Sequence, residues 1–462
     1  MEANEVLDAL VVGGGIVGAG IFRDLALHGA RVVLIDKGDF ASQTSSKSSK
    51  MFHGGIRYME TYDFAMVWEA LHEKNLWLKL APHLCKELPF CLPVFKDAQH
   101  PWWMVKVGLA CYDALSGFQN SNHYLLSPAE IGRRFPILDL KNLVGAGVYH
   151  DVIVDDAQIS LENIYDALLE KKAQAHNYTE LVGITPWEDK FSVHLRDTLT
   201  GVESGVTTRE IVFATGPFTD HLLSHFSFLK WSPCLLLSKG SHLWIKDSAL
   251  PLASPIVLRP NDGRIIFLIP QKGMVLVGTT EVEPDPDLFC QSVSEREKKY
   301  LLDNLKEFFP TIRIGEDDIL SSYAGIRPLV KKSDSQDKAK TSRQAKVIHP
   351  YPGVHVIVGG KLTTFRIMGQ KISQKIMKNC GKRYDRQKTA RPLRQKSFFN
   401  TFSAAQSLPS GEEIKKIILS EKVRTAEDFL VRRMGIYSDA QWTYLTSRNE
   451  FTQELAGHLP KQ

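Results

Sequence analysis

The stretch of sequence that decides the fold is residues 5–60, EVLDALVVGGGIVGAGIFRDLALHGARVVLIDKGDFASQTSSKSSKMFHGGIRYME. An apolar run of strand length, Leu7 to Val12, enters three glycines at G-x-G-x-x-G spacing, Gly13, Gly15 and Gly18, and helical spacing of apolar residues follows at once. The order is strand, tight turn, helix. Such glycines let the backbone approach a pyrophosphate, whose charge is favoured at the N–H groups of a helix N-terminus.

A second strand signal supports the same interpretation. Arg31 to Ile35 forms a predicted strand and ends in Asp36, at roughly the ~20-residue offset where an acidic side chain meets a ribose hydroxyl. A glycine triplet alone is also typical of a glycine-rich turn. Because strand, helix and acid all have the expected spacing here, we predict a dinucleotide-binding βαβ unit.

The loop after Asp36 is rich in hydroxyl groups and glycine. Ser and Thr donors in such a loop suit phosphate and sugar oxygens, whereas the alternative is a flexible surface loop. The loop closes on His53-Gly54-Gly55 with Arg57 and Tyr58, groups that suit an anion, which favours the ligand role. The predicted cofactor-binding residues in this half of the site are Gly13, Gly15, Ile16, Gly18, Asp36, Lys37, Thr44, Ser45, Ser46, Ser49, His53 and Gly54.

The whole chain has the length and composition of a multidomain globular protein. Its 462 residues predict two or three domains. The six cysteines show no C-x-x-C motif and no partnered histidine spacing, so we expect free, buried thiols and no metal site. The acidic start MEANEVLDAL passes directly into the first strand and predicts no signal peptide, hence a cytoplasmic protein. Uncharged apolar runs fall short of the ~18 residues that a membrane span needs.

The net charge of +5 is concentrated in one region. Residues 361–396 contain twelve Lys and Arg against the single acid Asp385, a balance of +11 that leaves the remainder of the chain at −6. This basic region is interpreted either as a solvated helix and linker face or as a surface attracted to anionic lipids.

Several longer segments carry a family resemblance. The stretches TSSKSSKMFHGGIRYME, TYDFAMVWEALHEKNLWLKLAPHL and LPFCLPVF resemble the FAD-dependent glycerol-3-phosphate dehydrogenases, and similar segments recur to about residue 435. Members of that family oxidise sn-glycerol 3-phosphate and pass electrons to membrane quinone. The resemblance therefore implies FAD as cofactor, sn-glycerol 3-phosphate as substrate, and ubiquinone or menaquinone as acceptor. It implies no nucleic-acid partner and leaves a homodimer open.

The expected fold class is α/β, with a Rossmann-like FAD-binding domain interleaved with a mostly antiparallel β-sheet substrate domain and a small α-helical C-terminal cap. Apolar runs between residues 234 and 277 predict the successive strands of that second sheet. The expected segments are 1–95 (FAD-binding βαβ and Ser-rich loop), 96–150 (amphipathic segment and substrate-domain elements), 151–233 (return to the FAD domain), 234–345 (substrate sheet), 346–383 (second return) and 384–462 (cap).

The segment HPWWMVKVGLACYDALSGF, residues 100–118, sets aromatic and aliphatic residues beside His100 and Lys106. It suits the boundary between headgroups and acyl chains, or equally a helix buried against the main body. The resemblance favours the membrane. It implies a peripheral protein on the cytoplasmic face of the inner membrane.

Three further motifs belong to the predicted chain path. Residues 144–157 predict strands with a turn before a helix, and Asp155 and Asp156 are interpreted as helix-capping acids rather than a catalytic pair. Ser294 and Glu297 predict a capping box. Residues 331–343 predict a mobile polar loop.

By resemblance, two further segments return to the flavin, with Ala214, Thr215 and Gly216 in one and Gly360, Lys361, Leu362 and Thr363 in the other.

The implied substrate is a small dianion with a secondary alcohol, so the site needs cations and a base. By resemblance, Arg57, Tyr58, Thr279 and Arg327 contact the substrate, and His242 in Lys239-Gly240-Ser241-His242 takes the C2 hydroxyl proton. Arg327 and Lys361 would stabilise the alkoxide or share the base role. Without the motif, His242 is as well explained as a core histidine.

Two alternatives stay open. One is a related FAD oxidase that uses oxygen and acts on glycerol 3-phosphate, an amine or an amino acid, because Arg57 and Arg327 could also meet a carboxylate. The other, of a different class, is a flavin- or dinucleotide-binding sensor without turnover.

Overall fold

The structure is a computed structural model that describes residues 5–331, 345–399, 408–436 and 449–460. The predicted polar loop therefore lies, from residue 332 onward, outside the described residues. The strands, in chain order, are β1 Leu7–Val12, β2 Val32–Ile35, β3 Met51–Phe52, β4 Cys85–Phe95, β5 Tyr124–Leu126, β6 Leu143–Val154, β7 Ala173–His176, β8 Thr179–Trp187, β9 Lys190–Asp197, β10 Glu203–Phe213, β11 Leu235–Lys246, β12 Ile256–Leu258, β13 Ile266–Gln271, β14 Met274–Gly278, β15 Ile319–Val330, β16 Lys346–Tyr351 and β17 Val354–Val358. The α-helices are α1 Ile16–Leu27, α2 Phe64–Leu80, α3 Trp102–Leu115, α4 Pro128–Arg134, α5 Asp156–Leu168, α6 Thr219–Leu223, α7 Glu295–Phe308, α8 Phe365–Asn379, α9 Gly411–Ser420 and α10 Asn449–His458.

The first sheet has the order β16-β17-β10-β1-β2-β7, with the β8–β9 hairpin continuing from β10. Strands β17, β10, β1, β2 and β7 run parallel, and β1 pairs with β10 and β2 so that Val12 lies opposite both Phe213 and Ile35. The carboxyl ends of these strands therefore meet at one edge. In such sheets this edge is where ligands bind.

Both faces of the parallel sheet are covered. Ala9 and Val11 of β1 pack with α1, α5 and α8, whereas Leu10 and Val12 pack with the β8–β9 hairpin and residues near α6. A parallel strand buried on both faces needs a continuous apolar run. This explains why residues 7–12 show little alternation.

The second sheet has the order β15-β11-β14-β13-β12-β4-β6-β3, with β5 paired to β6. All its pairings are antiparallel except that of β12 with β4. Helices α4 and α7 pack against one face of this sheet through Ile131, Leu301 and Leu305. The expected α/β class with a mostly antiparallel second sheet is confirmed.

The chain crosses between the two sheets more often than six simple segments suggest. Strands β3 and β4 come from the segment 1–95 but lie in the second sheet, as does β6, which extends past residue 150. The segment boundaries therefore remain a proposal. The predicted segments and the structure agree that the chain returns to the parallel sheet, which it does at β10 and β17.

The predicted turn within residues 144–157 is wrong, because β6 is one continuous strand. Its glycines accommodate neighbours rather than a turn: a Cβ on Gly147 would lie 2.3 Å from Leu109 Cδ1, and one on Gly145 would lie 3.0 Å from Trp102 Cζ2. The helix-capping predictions are confirmed. The Asp155 side chain accepts a hydrogen bond from Gln158 N, and Ser294 forms a capping box with Glu297.

The C-terminal cap forms a small core of its own. Ile414 and Ile417 of α9 pack with Phe429 of a π-helix, Asp428–Arg433, and with Phe451 of α10. The cap lies against the parallel-sheet side of the molecule, where Tyr165 of α5 donates a hydrogen bond to Glu421 O at 3.1 Å. The predicted helical cap is thus present.

The cysteine prediction is only partly correct. Cys85 and Cys91 are buried, but Cys111 and Cys290 are exposed, because Cys111 lies on the outer face of α3 and Cys290 follows a surface turn. Among the described residues, helices fall short of the length and apolar character required to cross a bilayer.

Candidate active site

One cavity of about 1010 Å³ runs from the carboxyl edge of the parallel sheet to the second sheet. It brings together twenty of the twenty-four residues predicted from sequence, which are Gly13, Gly15, Ile16, Asp36, Lys37, Thr44, Ser45, Ser49, His53, Arg57, Tyr58, Ala214, Thr215, Gly216, His242, Thr279, Arg327, Gly360, Lys361 and Leu362. Predicted cofactor and substrate residues therefore share one space, although they lie up to 349 positions apart.

Four predicted residues lie outside the cavity wall. Gly18 lets α1 approach β1, since a Cβ there would lie 1.8 Å from Gly13 O. Ser46 donates to Gln43 O at 3.2 Å, and Thr363 Oγ1 donates to His53 O at 3.4 Å. Gly54 donates its N–H to buried Asp151 at 3.2 Å. These four hold neighbouring segments in place.

The glycine loop is built for close approach of a ligand. Gly13 has φ +105°, and a Cβ on it would lie 2.6 Å from Ala214 O. At the start of α1, Ile16 donates its N–H to Ser45 Oγ at 2.9 Å, which ties the hydroxyl-rich loop to the helix N-terminus. The two predicted phosphate-binding segments are thus in direct contact.

Asp36 anchors the loop on the other side. Its carboxylate accepts hydrogen bonds from Gly14 N at 2.6 Å and Gly38 N at 2.9 Å. Burial raises the pKa of Asp36 to about 6, against the opposing effect of those two N–H groups. Since each carboxylate oxygen can accept more than one bond, Asp36 can still accept from a ribose hydroxyl in the cavity that it lines.

The donor set suits a flavin dinucleotide. Backbone N–H groups and hydroxyls at Gly13–Gly15 and Thr44–Ser45 face one part of the cavity, and Gly360–Leu362 before α8 faces another. Lys37 and Glu180 form an ion pair of 2.9 Å at the cavity rim. Phosphate-binding donors in a largely apolar cavity match a ligand with a charged centre and flat rings.

His242 lies on β11, next to the edge strand of the second sheet, where it is opposite both Gly278 of β14 and Tyr323 of β15. Its Nε2 lies 2.9 Å from Ser49 Oγ, and its ring stacks on Tyr323 at a centroid distance of 5.0 Å. Gly278 makes room for it, because a Cβ there would lie 2.3 Å from the imidazole Cδ2.

The electrostatic setting keeps this imidazole neutral. Burial, followed by the positive charges of Arg327 and Lys50, holds the pKa of His242 well below its usual value. Within the described part of the chain, Nδ1 is buried and has no hydrogen-bond partner. A neutral, restrained imidazole at a cavity wall can accept a proton.

Arg327 is held beside Thr279. Its Nη2 donates to Thr279 Oγ1 at 2.7 Å, and the guanidinium also reaches Thr280 O at 3.4 Å. Gly240 on the paired strand provides the space, since a Cβ there would lie 2.2 Å from Arg327 Nη2. The glycine of the Lys-Gly-Ser-His motif is therefore required by the arginine on the neighbouring strand.

The other predicted substrate-side residues, Arg57, Tyr58 and Lys361, also line the cavity. Tyr58 and Arg57 belong to a 3₁₀-helix, Ile56–Thr61, that follows Gly55 with φ +76°. Lys361 Nζ lies 3.5 Å from the centre of the Tyr58 ring. The structure thus joins the segments His53–Tyr58 and Gly360–Leu362, which the sequence predicted separately.

Sequence reasoning missed the buried charges behind His242. Lys50 Nζ pairs with Asp156 at 2.5 Å and lies over the Tyr323 ring, and Ser48 Oγ also donates to Asp156 at 2.7 Å. Burial alone would lower the pKa of Lys50, but the carboxylate of Asp156 outweighs burial and raises it. The sequence did contain a signal for this ion pair. The lysines of the segment SSKSSK and the adjacent acids Asp155 and Asp156 carry opposite charges.

Comparisons with known proteins agree with this geometry. A family model described as FAD dependent oxidoreductase matches residues 8–374. The aerobic glycerol-3-phosphate dehydrogenase of Staphylococcus aureus (strain MRSA252) is 32% identical over 385 residues, covering 82% of this chain and 69% of the relative.

Solved structures show the same fold. The glycerol-3-phosphate dehydrogenase from Bacillus halodurans complexed with FAD has a TM-score of 0.77 at 24% identity, covering 98% of this chain and 92% of that chain. The L-alpha-glycerophosphate oxidase from Mycoplasma pneumoniae with FAD bound has a TM-score of 0.64 at 20% identity, covering 88% and 100%. Glycine oxidase from Geobacillus kaustophilus has a TM-score of 0.62 at 20% identity, covering 85% and 100%.

Proposed function

Since this chain belongs to the DAO family of FAD-dependent oxidoreductases, we propose that it oxidises sn-glycerol 3-phosphate to dihydroxyacetone phosphate and passes the electrons to a membrane quinone. The substrate is supported by the relative at 32% identity. The single observation that carries the proposal is the shared cavity in which neutral His242 and the Arg327–Thr279 pair face the glycine loop.

FAD is the cofactor, and the residues present fit it. Gly13, Gly15 and Ser45 would hold the pyrophosphate at the N-terminus of α1, and Asp36 would accept from the ribose. The segment Gly360–Leu362 would face the flavin ring. When bound, the flavin supplies the acceptor for the hydride that leaves C2 of the substrate.

The protein side of the reaction is proton removal and charge neutralisation. His242 accepts the C2 hydroxyl proton, since it lines the cavity and its imidazole is unprotonated beforehand. Arg327 neutralises negative charge on the substrate, and its fork makes hydrogen bonds of roughly 1.5 to 3 kcal/mol each to an anionic oxygen. Arg57 and Lys361, which also line the cavity, add positive charge. Positioned proton transfer contributes roughly a hundred- to ten-thousandfold in rate.

A membrane acceptor is supported by an apolar surface outside the cavity. Leu109 and Tyr112 bury one face of α3, whereas Trp103 and Val107 on its other face are 63% and 55% exposed. Aromatic and aliphatic side chains on such a helix suit the headgroup boundary of a bilayer. We propose that this face attaches the protein to the cytoplasmic face of the inner membrane, where quinone is available. An oligomer is not required by this arrangement.

The experiment is an anaerobic titration of the purified holoprotein with sn-glycerol 3-phosphate, read from the visible band of oxidised flavin. We expect bleaching by this substrate and no bleaching by glycerol or glycine. A flavin that stays oxidised would reject the substrate. Bleaching by glycine would instead favour an amino-acid oxidase, and bleaching by no substrate of either class would favour a flavin-binding sensor.

A second step separates the acceptors. The protein reduced by substrate is mixed either with a short-chain quinone or with oxygenated buffer, and reoxidation is followed at the same band. We expect faster reoxidation by quinone. Faster reoxidation by oxygen would assign the protein as a glycerol-3-phosphate oxidase.

A further inference from the structure

Two adjacent arginines of the C-terminal cap form ion pairs with one buried aspartate of the cofactor domain. Arg432 Nε donates to Asp39 Oδ2 at 2.5 Å, Arg433 Nη2 donates to Asp39 Oδ1 at 3.1 Å, and Arg433 Nη1 also contacts the same carboxylate. The Asp39 and Arg433 side chains are fully buried. Burial would raise the pKa of Asp39, but the two guanidinium charges outweigh burial and lower it. We call Asp39, Arg432 and Arg433 the clamp.

A widened helical turn lets both arginines reach the same acid. Asp428–Arg433 forms a π-helix, a rare geometry that is often found at functional positions. Asp428 accepts from Arg432 Nη2 at 2.6 Å, and Gln158 Nε2 donates to the backbone oxygens of both Arg432 and Arg433 at 2.9 and 2.8 Å. The π-helix is thus stabilised by the Gln158 side chain of α5 and by the ion pair between its own Asp428 and Arg432.

The clamp lies directly behind the cofactor loop. Asp39 follows Asp36 by three residues, and Phe40 next to it is so close to the glycine loop that a Cβ on Gly14 would lie 2.4 Å from Phe40 Cδ1. Ala41 donates its N–H to Gly14 O at 3.1 Å. The residues on either side, Asp36–Gly38 and Ala41–Ser45, line the cavity.

The same wall is braced by the residues that follow β7. Asn177 Nδ2 donates to Asp39 Oδ1 at 2.9 Å and to Lys422 O of the cap at 2.8 Å. Thr179 donates its N–H to Asp36 O at 2.6 Å, and Tyr178 Oη donates to Asp428 at 2.7 Å. Cap, clamp and cofactor loop therefore form one continuous buried network.

We propose that the C-terminal clamp sets the affinity for FAD: Arg432 and Arg433 act as positioning residues that hold the segment Asp36–Ser45 in its cofactor-binding conformation. Neither arginine lines the cavity, so they act through Asp39 and the loop. This goes beyond the proposed reaction and does not depend on which substrate the protein oxidises. Linkage requires the reverse as well, since FAD binding must stabilise the clamp to the same extent.

The first test compares FAD binding by cofactor-free protein, measured by flavin fluorescence. Arg433→Met keeps the length of the side chain and removes its charge, and we expect the Kd for FAD to rise about tenfold, within the usual range of coupling between linked sites. The control is Arg424→Met, which removes an arginine of the cap that precedes the π-helix and pairs with the partly exposed Asp197. We expect it to change Kd less than about twofold.

Two further measurements keep the proposal testable if Arg433→Met does not fold. Arg433→Lys retains the positive charge but cannot donate to both oxygens of Asp39 as the planar guanidinium does. An unchanged Kd for FAD in this variant would overturn the proposal. In the unaltered protein, we expect FAD to slow amide hydrogen exchange across Asp428–Arg433. Equal exchange in that segment with and without FAD would show that the clamp serves only the fold.

Discussion

At the scale of single residues, the candidate site depends on burial more than on exposed charge. His242 is kept neutral because water is excluded and two cations lie near it, whereas burial raises the pKa of Asp36 to about 6 despite its two hydrogen bonds from backbone N–H groups. Both groups are therefore shifted toward the protonation state in which they carry less charge, as expected when desolvation dominates. Their functions respond to pH in ways that can be measured separately.

The His242→Ala variant tests the base. We expect turnover with sn-glycerol 3-phosphate to fall roughly a hundred- to ten-thousandfold, the usual contribution of positioned proton transfer. FAD should stay bound, because His242 contacts Ser49 and Tyr323 rather than the glycine loop. The measurements are steady-state kinetics and the flavin absorbance of the purified protein. Turnover near that of the unaltered enzyme would remove His242 as the base.

The pH dependence of FAD binding tests Asp36. Burial raises its pKa to about 6 in the cofactor-free protein, so that part of its population is protonated between pH 5 and about 6. The ionised carboxylate is the better acceptor for a ribose hydroxyl. We therefore expect FAD affinity to rise as pH increases through about 6 and to level off above it.

The stability of the cofactor-free fold should depend on pH in the opposite direction to FAD affinity. A raised pKa stabilises the cofactor-free fold below the ordinary pKa of aspartate, and that contribution is lost as pH rises toward about 6. The variant Asp36→Asn should flatten both profiles. A pH dependence of FAD affinity that persists in Asp36→Asn would assign it to another group.

At the scale of elements, β11 positions the substrate groups through its two neighbours. Strand β15 brings Arg327 opposite Ser238, and β14 brings Gly278 opposite His242. Behind them, Ser241 and Thr280 donate to the buried carboxylate of Glu297 at 2.6 and 2.8 Å, which fixes α7 to the sheet. The register of these three strands therefore decides which side chains meet in the cavity.

Gly240→Ala tests that register directly. The added Cβ would lie 2.2 Å from Arg327 Nη2 and 2.6 Å from Thr279 Oγ1, so the arginine has to move. We expect KM for sn-glycerol 3-phosphate to rise about tenfold or more, since a bidentate arginine contact contributes roughly 1.5 to 3 kcal/mol per hydrogen bond. FAD affinity should not change. Steady-state kinetics and an FAD titration measure the two effects.

The matched control is Gly183→Ala in β8, where the nearest atom to a new Cβ is His194 Cβ at 3.7 Å. This substitution should leave KM unchanged. An unchanged KM in Gly240→Ala would show that Arg327 does not contact the substrate phosphate.

Local sequence is sufficient to predict the glycine loop, because its partners Asp36 and Ser45 lie within about thirty residues and follow a known strand–turn–helix order. The surroundings of His242 are different. Ser49, Gly278 and Tyr323 come from three distant parts of the chain, and a slip of one residue in an antiparallel pair turns side chains to the opposite face. No local pattern contains that register. For the same reason the local sequence did not show that Gly145 and Gly147 of β6 serve packing against α3 rather than a turn.

At the scale of the whole molecule, helix α2 contacts both α3, which has an exposed apolar face, and the basic region. Trp68 and His72 of α2 line a groove of about 390 Å³ together with Arg366, Lys371 and Arg386 of the basic region. The acids Glu69 and Glu73 line the same groove, and Glu73 pairs with Arg366. Helix α3 packs beside α2 and exposes Trp103 and Val107. An exposed apolar helix face together with a chain segment of net positive charge suits an anionic bilayer, where each nearby Lys or Arg contributes about 1 kcal/mol. We propose that the cations of the basic region which are not paired with acids of the protein body belong to this membrane-facing surface.

The corresponding prediction concerns vesicle binding. The protein should sediment with vesicles that contain anionic phospholipid, less with neutral vesicles, and less at high salt, because salt screens the exposed cations. The double variant Trp103→Glu, Val107→Glu should lose most of this binding, since it places two negative charges on the apolar face of α3. Substrate-driven bleaching of the flavin should be unchanged, because neither residue lines the cavity.

The control for surface charge is Val202→Glu, at a position that is 64% exposed near the start of β10. It adds a carboxylate far from α3 in the chain and should bind vesicles as the unaltered protein does. If the double variant binds as well as this control, α3 is not the attachment surface. Loss of vesicle binding together with loss of quinone reduction, but not of flavin bleaching, would tie the exposed face of α3 to delivery of electrons at the membrane.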